Sequence, residues 1–221
     1  MRSGVIAIDG PAGSGKTVVG QRLADVLGYR YLDTGAFYRA LTWLALARGV
    51  SPADGPGLAA LVQSASIQIE RPGVGDGRPY TVKVNERDVT SDLTLPSVGG
   101  VVSVVSAHPE VRSALLPLQR RVASQGNTVM AGRDIGTVVC PEAVLKIYLD
   151  APLPVRIERR IGQLHRMGRQ PDAAQVAAEL AERDRIDPLK PAQDAVFVDA
   201  ASLTIDQELA FILDLLARRG P

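Results

Sequence analysis

The most informative segment of the chain is Gly10-Pro11-Ala12-Gly13-Ser14-Gly15-Lys16-Thr17. It follows an apolar run, Val5 to Ile8, and precedes a helical pattern, so it reads G-x-x-x-x-G-K-T between a strand and a helix. In such a phosphate-binding loop, or P-loop, glycines let successive backbone N–H groups turn toward phosphate oxygens. The start of the helix adds its positive end. We therefore predict that residues 10–17 bind a nucleoside triphosphate.

Two side chains of the P-loop have separate predicted tasks. Lys16 is expected to reach the β- and γ-phosphates of ATP as a cation, and the Thr17 hydroxyl is expected to ligate Mg²⁺. Neither residue says which molecule receives the phosphoryl group, so the acceptor must be inferred from other segments.

Composition sets broad limits on the class of protein. The 221 residues are 46% apolar, which is enough for one main domain with a sizeable core. The 25 basic and 24 acidic residues balance to +1, so we expect no nucleic-acid or membrane partner. The N-terminus enters a strand pattern at once, which argues against a signal peptide. The single cysteine, Cys140, permits no internal disulfide and is typical of a reducing cytoplasm.

Strand and helix patterns alternate along the chain, which indicates an α/β fold with a parallel sheet flanked by helices. Residues 66–90 break this rhythm and predict a small antiparallel β insertion. Thr204 and Gln207 have the spacing of a helix capping box. The predicted strands cover about 4–9, 29–32, 128–131, 144–149 and 195–198, and the predicted helices about 15–27, 35–48, 54–64, 95–107, 109–124, 152–167, 172–186 and the residues after 204.

Two polar segments follow apolar strands, where ligands of open α/β sheets bind. In the first, Thr34 is expected to cap the next helix and bond a ligand, and Arg39 lies on the first turns of that helix. The alternative is a plain helix cap with a solvated arginine. In the second, Arg133 and Asp134 are flanked by glycines and suit a polar ligand. The alternative there is a structural ion pair within the loop.

Arginines are concentrated between residues 156 and 185, and the loop near residues 166–171 has the composition of a mobile lid. Phosphoryl transfer needs positioning, cations around the migrating group and exclusion of water, all of which an arginine-bearing lid supplies. Some of these arginines are expected only to solvate the helices. Asp150 ends an apolar strand, and either caps the following helix or holds Mg²⁺ through water.

Beyond the P-loop, the chain resembles the bacterial cytidylate kinases over nearly its whole length. The resemblance rests on seven segments that occur in the same order. These are Ile8–Lys16, Leu32–Arg39, Val84–Asn85 with Asp88–Thr90, Pro109–Arg112, Gln119–Arg120, Gly132–Val139 and Glu182–Asp184.

The resemblance implies a P-loop nucleoside monophosphate kinase that uses Mg²⁺ and transfers the γ-phosphoryl group of ATP to CMP or dCMP. It also implies a single kinase domain, which we expect to act as a monomer. The core would comprise about 1–33, 126–160 and 188–221, the monophosphate-binding region about 34–125 with the β insertion 66–90, and the lid about 161–187.

The resemblance also assigns residues to the acceptor site. Thr34 resembles the residue that bonds the cytosine ring, and Arg39 the arginine on the CMP phosphate. Ser103 and Arg112 resemble the pair that recognises the cytosine edge. Asp187 resembles a carboxylate that holds the sugar hydroxyls.

The remaining assignments concern catalysis and ATP. Asp134 resembles the carboxylate near the sugar and phosphate, and Arg183 an arginine on the transferring phosphates. We expect Lys16, Arg133, Asp134 and Arg183 to be catalytic, and Arg159 to join the P-loop in binding ATP.

The segment after Asp187 is shorter than the family pattern and lacks one expected arginine, so Arg185 or Lys190 is a candidate substitute. We therefore expect weak discrimination between CMP and dCMP, or an unusually high KM for both. The other hypotheses are a kinase for another monophosphate or small metabolite, and a regulatory nucleotide switch. A guanine-specific switch would carry an Asn-Lys-x-Asp element, and the sequence has none.

Overall fold

The computed structural model describes residues 4–72, 77–186 and 190–218. Contacts divide the chain into two compact units. The first unit comprises residues 1–29 and 127–221, and the second comprises residues 30–126. The second unit covers almost the same range as the predicted monophosphate-binding region, whereas the predicted division of the remainder into core and lid stays a prediction.

The elements in chain order match the predicted alternation. The strands are β1 (Val5–Asp9), β2 (Arg30–Asp33), β3 (Ile67–Glu70), β4 (Thr81–Val84), β5 (Arg87–Asp88), β6 (Thr128–Gly132), β7 (Leu145–Asp150) and β8 (Val196–Asp199). The helices are α1 (Lys16–Leu27), α2 (Gly35–Arg48), α3 (Gly55–Ser64), α4 (Pro96–Ala107), α5 (Pro109–Ala123), α6 (Leu153–Arg166), α7 (Ala173–Ile186) and α8 (Ile205–Arg218).

The main sheet is parallel and has the order β2-β6-β1-β7-β8. Within the first unit, β1 pairs with β6 on one side and with β7 on the other, and β8 pairs with β7. All residues of β1 and β6 are buried, as expected for strands of a parallel sheet covered on both faces. The predicted α/β fold is therefore confirmed. Among the described residues, no helix combines the length and apolar character needed to cross a membrane.

The predicted hairpin of the second unit is a three-stranded antiparallel sheet of order β3-β4-β5. Val84 pairs with Arg87, so Asn85 and Glu86 form a two-residue loop with φ of 48° and 66°. Two positive φ angles give the loop a twist that matches the flanking strands. The sequence did not predict β5, because Asn-Glu lacks the glycine that usually marks such a turn.

Helix boundaries agree with prediction to within one or two residues, and the caps explain why. Gly28 and Gly49 end α1 and α2 in the left-handed conformation, with φ of 66° and 67°. The capping box is confirmed at α8, because the Thr204 N–H donates to Gln207 Oε1 at 2.9 Å and the Gln207 N–H donates to Thr204 Oγ1 at 3.3 Å.

The predicted cap at Thr34 is wrong. Thr34 has a helical backbone, with φ −63° and ψ −20°, and its side chain makes no capping hydrogen bond. The neighbouring Asp33 caps the start of α2 instead, since its Oδ1 accepts from the Gly35 N–H at 2.9 Å. A carboxylate one residue earlier reaches the helix start because α2 begins directly at the end of β2.

Candidate functional site

The P-loop connects β1 to α1 and depends on its glycines. A Cβ at Gly10 would lie 2.1 Å from the Leu149 carbonyl oxygen, so only glycine permits this close approach of two backbones. Gly13 has a φ of 82°, and a Cβ there would lie 3.1 Å from the Arg156 Cβ. Gly15 is left-handed where α1 begins. The loop therefore curls tightly around the start of α1, the arrangement that binds phosphate groups.

Lys16 turns back over the P-loop. Its Nζ donates to the Gly10 carbonyl at 2.8 Å and to the Pro11 carbonyl at 2.6 Å. These bonds hold an ammonium group against the loop backbone, where phosphate oxygens would be its stronger partners. The neighbouring Thr17 is exposed in the first turn of α1. The hydroxyl predicted to ligate Mg²⁺ therefore stands beside the predicted phosphate-binding cation.

Ser14 provides a further polar group inside the loop. Its side chain is 0% exposed, and its Oγ has no hydrogen-bond partner within the described parts of the chain. A buried hydroxyl without a partner is unfavourable by about 1–3 kcal/mol. The Ser14 hydroxyl is thus a donor available to a bound phosphate, as the P-loop prediction for residues 10–17 requires.

Asp9 lies at the end of β1, directly before Gly10, and is only 4% exposed. Its Oδ1 accepts from the Ile135 N–H at 2.7 Å and its Oδ2 from the Gly136 N–H at 2.8 Å. Burial raises the pKa of Asp9, and the two hydrogen bonds and the Lys16 charge oppose that rise. Sequence reasoning did not single out this residue, although an acid that ends an apolar strand before a P-loop is a usable signal.

Ile135 and Gly136 begin a short π-helix, Ile135–Val139, that the sequence did not predict. The Asp134 carbonyl accepts from the Val138 N–H at 2.9 Å, so Asp134 stands at the start of this turn. Single π-helical turns are rare and are often found at functional sites. The segment predicted to hold a polar ligand therefore has an irregular backbone that Asp9 stabilises.

Arg133 contacts a carboxylate of α7 that the sequence did not link to it. Its Nη2 lies 3.7 Å from Asp184 Oδ1, and Asp184 Oδ2 accepts from Arg156 Nη2 at 2.7 Å. Arg133 thus forms an ion pair with α7, and the alternative of a structural ion pair within the loop stays a prediction. Asp184 joins two arginines through one carboxylate.

Arg156 is 6% exposed, and its guanidinium makes hydrogen bonds to three other residues. Besides Asp184, it donates from Nε to the Ala151 carbonyl at 2.9 Å and from Nη1 to the Ala12 carbonyl at 3.2 Å. The planar guanidinium suits such a set of donors, because its N–H groups point in fixed directions. Arg156 therefore ties α6 to both the P-loop and α7.

Arg159, one turn further along α6, also contacts the P-loop. Its Nη1 donates to the Ser14 carbonyl at 2.9 Å and its Nη2 to the Ala200 carbonyl at 2.6 Å. That Arg159 binds ATP stays a prediction, and the residue lies directly against the P-loop.

Asp150 is exposed and accepts from the Ala151 N–H at 2.9 Å, whereas Pro152 stands at the cap position of α6. The expected cap at Asp150 is therefore wrong.

The α7 helix carries the next group of predicted residues. Arg183 is half-buried there, beside Asp184. Arg185 is exposed and donates to Glu182 at 2.6 Å, so this candidate for the missing arginine is engaged at the surface. Lys190 is exposed. Asp187 lies outside the described residues.

The second unit holds four of the residues predicted to bind the acceptor. Thr34 is buried at the start of α2, and Arg39 is one turn further on, with its Nη1 3.4 Å from Asp33 Oδ2. Burial, the largest influence, lowers the pKa of Arg39, but Asp33 and nearby groups together raise it. Burial and the Asp33 charge raise the pKa of Tyr80, which keeps its phenol neutral. Arg39 thus remains a cation beside a neutral phenol.

Ser103 and Arg112 lie on α4 and α5, two helices of the second unit that pack against each other. Ser103 is half-buried, and its carbonyl accepts from Ser106 Oγ at 3.1 Å. Arg112 donates from Nη1 to the Ser106 carbonyl at 3.3 Å. The Arg112 side chain is therefore held against the C-terminal half of α4, the helix that carries Ser103.

Comparisons with known proteins agree with this geometry. The family model described as cytidylate kinase matches residues 6–218. A cytidylate kinase from Roseiflexus castenholzii is 43% identical over 218 residues, which cover 97% of this chain and 94% of that protein. One from Herpetosiphon aurantiacus is 45% identical over 201 residues, covering 91% and 86%. A bifunctional pantoate ligase/cytidylate kinase from Synechocystis is 44% identical over 96% of this chain but only 42% of its own length.

Similar solved structures support the fold alone. A gluconokinase from Sinorhizobium meliloti has a TM-score of 0.50 at 17% identity, covering 97% of this chain and 92% of that one. A shikimate kinase from Bacteroides thetaiotaomicron has a TM-score of 0.50 at 14% identity, covering 98% and 99%. Both are named as kinases of small metabolites, so the fold by itself does not choose the acceptor. The family model and the full-length relatives make that choice, and the chain belongs to the cytidylate kinase family.

Proposed function

We propose that this protein transfers the γ-phosphoryl group of ATP to CMP or dCMP, giving CDP or dCDP, and so serves pyrimidine nucleotide metabolism. The observation that carries the proposal is a complete P-loop, with Lys16 held against its backbone, in a chain 43–45% identical to cytidylate kinases over most of its length. Phosphoryl transfer needs little covalent chemistry from the protein, so catalysis consists of positioning and electrostatic stabilisation.

In this proposal ATP is bound by the first unit. The P-loop amides and the Ser14 hydroxyl hold the phosphates, and Lys16 exchanges its carbonyl partners for the β- and γ-phosphates. Arg159 completes the ATP site from the side of α6. Arg133 and Arg183 stabilise the charge that spreads over the oxygens of the migrating group, because each supplies a permanently charged planar donor.

Four of the residues proposed to bind CMP belong to the second unit. Arg39 takes the acceptor phosphate, helped by Asp33, which keeps the guanidinium charged and oriented. Thr34, Ser103 and Arg112 recognise the cytosine ring through hydrogen bonds. Asp134 orients the acceptor sugar and phosphate, and Asp187 the sugar hydroxyls. These roles stay proposals for every residue.

Mg²⁺ fits the residues at the P-loop. A Mg²⁺ ion usually keeps several waters and binds mainly through substrate phosphates, so one protein hydroxyl can be enough. Thr17 supplies that hydroxyl in the first turn of α1. When bound, the ion neutralises charge on the β- and γ-phosphates. We further infer that the protein acts as a monomer in the cytoplasm, from the resemblance and the single buried Cys140.

A coupled assay tests the proposal directly. Nucleoside diphosphate formation is measured with ATP and Mg²⁺ against CMP, dCMP, UMP, AMP, gluconate and shikimate. We expect rapid turnover with CMP and dCMP, little preference between them, and no ATP consumption without an acceptor. Faster turnover with a purine monophosphate or with either metabolite would overturn the assignment, and acceptor-independent hydrolysis would favour a nucleotide switch.

A further inference from the structure

Asp9 contacts both ends of one short segment, through its backbone at one end and through its side chain at the other. Its backbone ends the β1–β6 ladder opposite Gly132, and its side chain accepts from the Ile135 and Gly136 N–H groups at 2.7 and 2.8 Å. Between these anchors lie only Arg133 and Asp134. The chain has left the sheet at Gly132 and has entered the π-helix at Ile135. Asp9 thus fixes both ends of the two-residue segment that bears two proposed catalytic side chains.

The carboxylate is not needed for the strands to pair. Backbone bonds already hold β1 between β6 and β7, from Val5 through Asp9. Burying a carboxylate is costly unless its hydrogen bonds repay the lost hydration, and burial has raised the pKa of Asp9. A neutral side chain with one acceptor would hold one N–H at lower cost. Two acceptor oxygens on one short side chain are required only if both amides must be held in place.

Gly136 allows this close approach. A Cβ there would lie 3.3 Å from Asp9 Oδ2 and 3.1 Å from Lys146 Cδ, tighter than ordinary contact. The absence of a side chain at 136 therefore lets the π-helix start directly on the carboxylate. Asp9 and Gly136 therefore form one contact, in which β1 supplies the acceptor oxygens and the π-helix supplies the N–H donors.

We propose that Asp9 is a positioning residue for phosphoryl transfer, which fixes Arg133 and Asp134 relative to the P-loop through the Ile135 and Gly136 amides. The proposal rests on the proposed roles of Arg133 and Asp134. Asp9 itself touches neither substrate. It acts by holding the segment that does, and small displacements of such groups lower the rate strongly, since about 1 Å can cost on the order of 100-fold.

The primary test is Asp9→Asn. The amide keeps one acceptor oxygen but turns an NH₂ group toward the second N–H, so one anchor is lost without a change of shape. We expect kcat for CMP to fall by about 10- to 100-fold, with the Kd for ATP alone changed by less than about threefold. Amide exchange at Ile135 and Gly136 should accelerate, whereas exchange in the β1–β7 ladder should not.

The matched control is Asp54→Asn in the second unit. Asp54 Oδ1 accepts from the Gly57 N–H at 2.9 Å at the start of α3, so the same isosteric change removes the same kind of bond elsewhere. Asparagine also serves well at such a cap, and kcat should stay within about twofold. In an Asp134→Asn background, Asp9→Asn should lower kcat much less than it does alone, because the residue it positions is already impaired.

Two results would overturn the proposal. One is a kcat for Asp9→Asn within about threefold of the native enzyme. The other is a parallel loss of kcat and ATP binding, which a general distortion of the P-loop would produce. If Asp9→Asn does not fold, Gly136→Ala disturbs the same contact from the side of the π-helix. It must then lower kcat while the Kd for ATP stays nearly unchanged. If the native protein does not phosphorylate CMP, the proposed function fails, while the exchange rates at Ile135 and Gly136 still test the anchor.

Discussion

Lys16 illustrates how single side chains in the first unit depend on long-range partners. Its Nζ is held by the Gly10 and Pro11 carbonyls, and its charge partly offsets the rise in the pKa of Asp9. A cation kept so close to the phosphate-binding backbone needs little rearrangement when ATP binds. Such preorganisation is what makes charged groups effective in catalysis.

Lys16→Ala should therefore lose most of the activity. It removes the cation expected over the β- and γ-phosphates, and groups of this kind contribute roughly 10²- to 10³-fold, or about 3–4 kcal/mol, to the rate. The measurement is kcat with saturating ATP and CMP. Lys83→Ala, which breaks a surface pair with Glu70 in the β insertion, is the control and should behave like the native enzyme. Near-normal turnover of Lys16→Ala would refute the assigned role of the P-loop.

Arg112→Ala tests the acceptor site at the same scale. If Arg112 reads the cytosine edge, its removal leaves base atoms without partners, at about 1–3 kcal/mol. We expect kcat/KM for CMP to fall by about 10- to 100-fold, and residual activity on UMP to fall less. Arg120→Ala, on a later turn of the same helix, controls for the loss of positive charge. An equal loss for CMP and UMP would show that Arg112 does not distinguish the bases.

At the scale of elements, the caps and turns account for most of the agreement between sequence and structure. Gly28 and Gly49 end their helices where the sequence predicted, because left-handed termini favour glycine. The Asn85-Glu86 turn and the π-helix Ile135–Val139 were not predicted. The first lacks the usual glycine, and the second is stabilised by Asp9, which is more than 120 residues away in sequence.

The capping box of α8 gives an element-scale prediction. Thr204→Ala removes the acceptor of the Gln207 N–H, and loss of such a cap costs about 1 kcal/mol. We expect the free energy of unfolding, measured in urea, to decrease by about that amount. Thr204→Ser keeps the hydroxyl and should retain most of the native value. A loss of the same size in both variants would mean that the methyl group, not the cap, is responsible.

The stability of the whole molecule should depend on a buried carboxylate in α8. Glu208 is 2% exposed, and its Oε2 has no hydrogen-bond partner among the residues that the structure describes. Burial raises the pKa of Glu208 to about 7, although the Arg159 charge opposes this rise. The folded protein therefore holds this proton more tightly than the unfolded chain does, so ionisation opposes folding.

It follows that the Glu208 contribution to the free energy of unfolding should decline as pH rises from about 4.5 to about 7, and then level off. Glu208→Gln should remove this decline and increase stability at pH 8 by about 1–3 kcal/mol. Urea titrations between pH 4.5 and 8 measure the effect. Glu142→Gln, at an exposed position, controls for the loss of one negative charge. Identical pH profiles for native and Glu208→Gln proteins would contradict the prediction.

Features that depend on neighbouring residues could be predicted from the sequence: the P-loop, the alternation of strands and helices, the glycine caps and the capping box. The resemblance carried by short motifs also indicated the family. The contacts between distant groups became known from the three-dimensional structure. It placed Asp9 on the Ile135 and Gly136 amides, paired Arg133 with Asp184, and buried Glu208. Local spacing governs turns, caps and periodicity, whereas the partners of a buried charge depend on which elements pack together, and no local pattern encodes that choice.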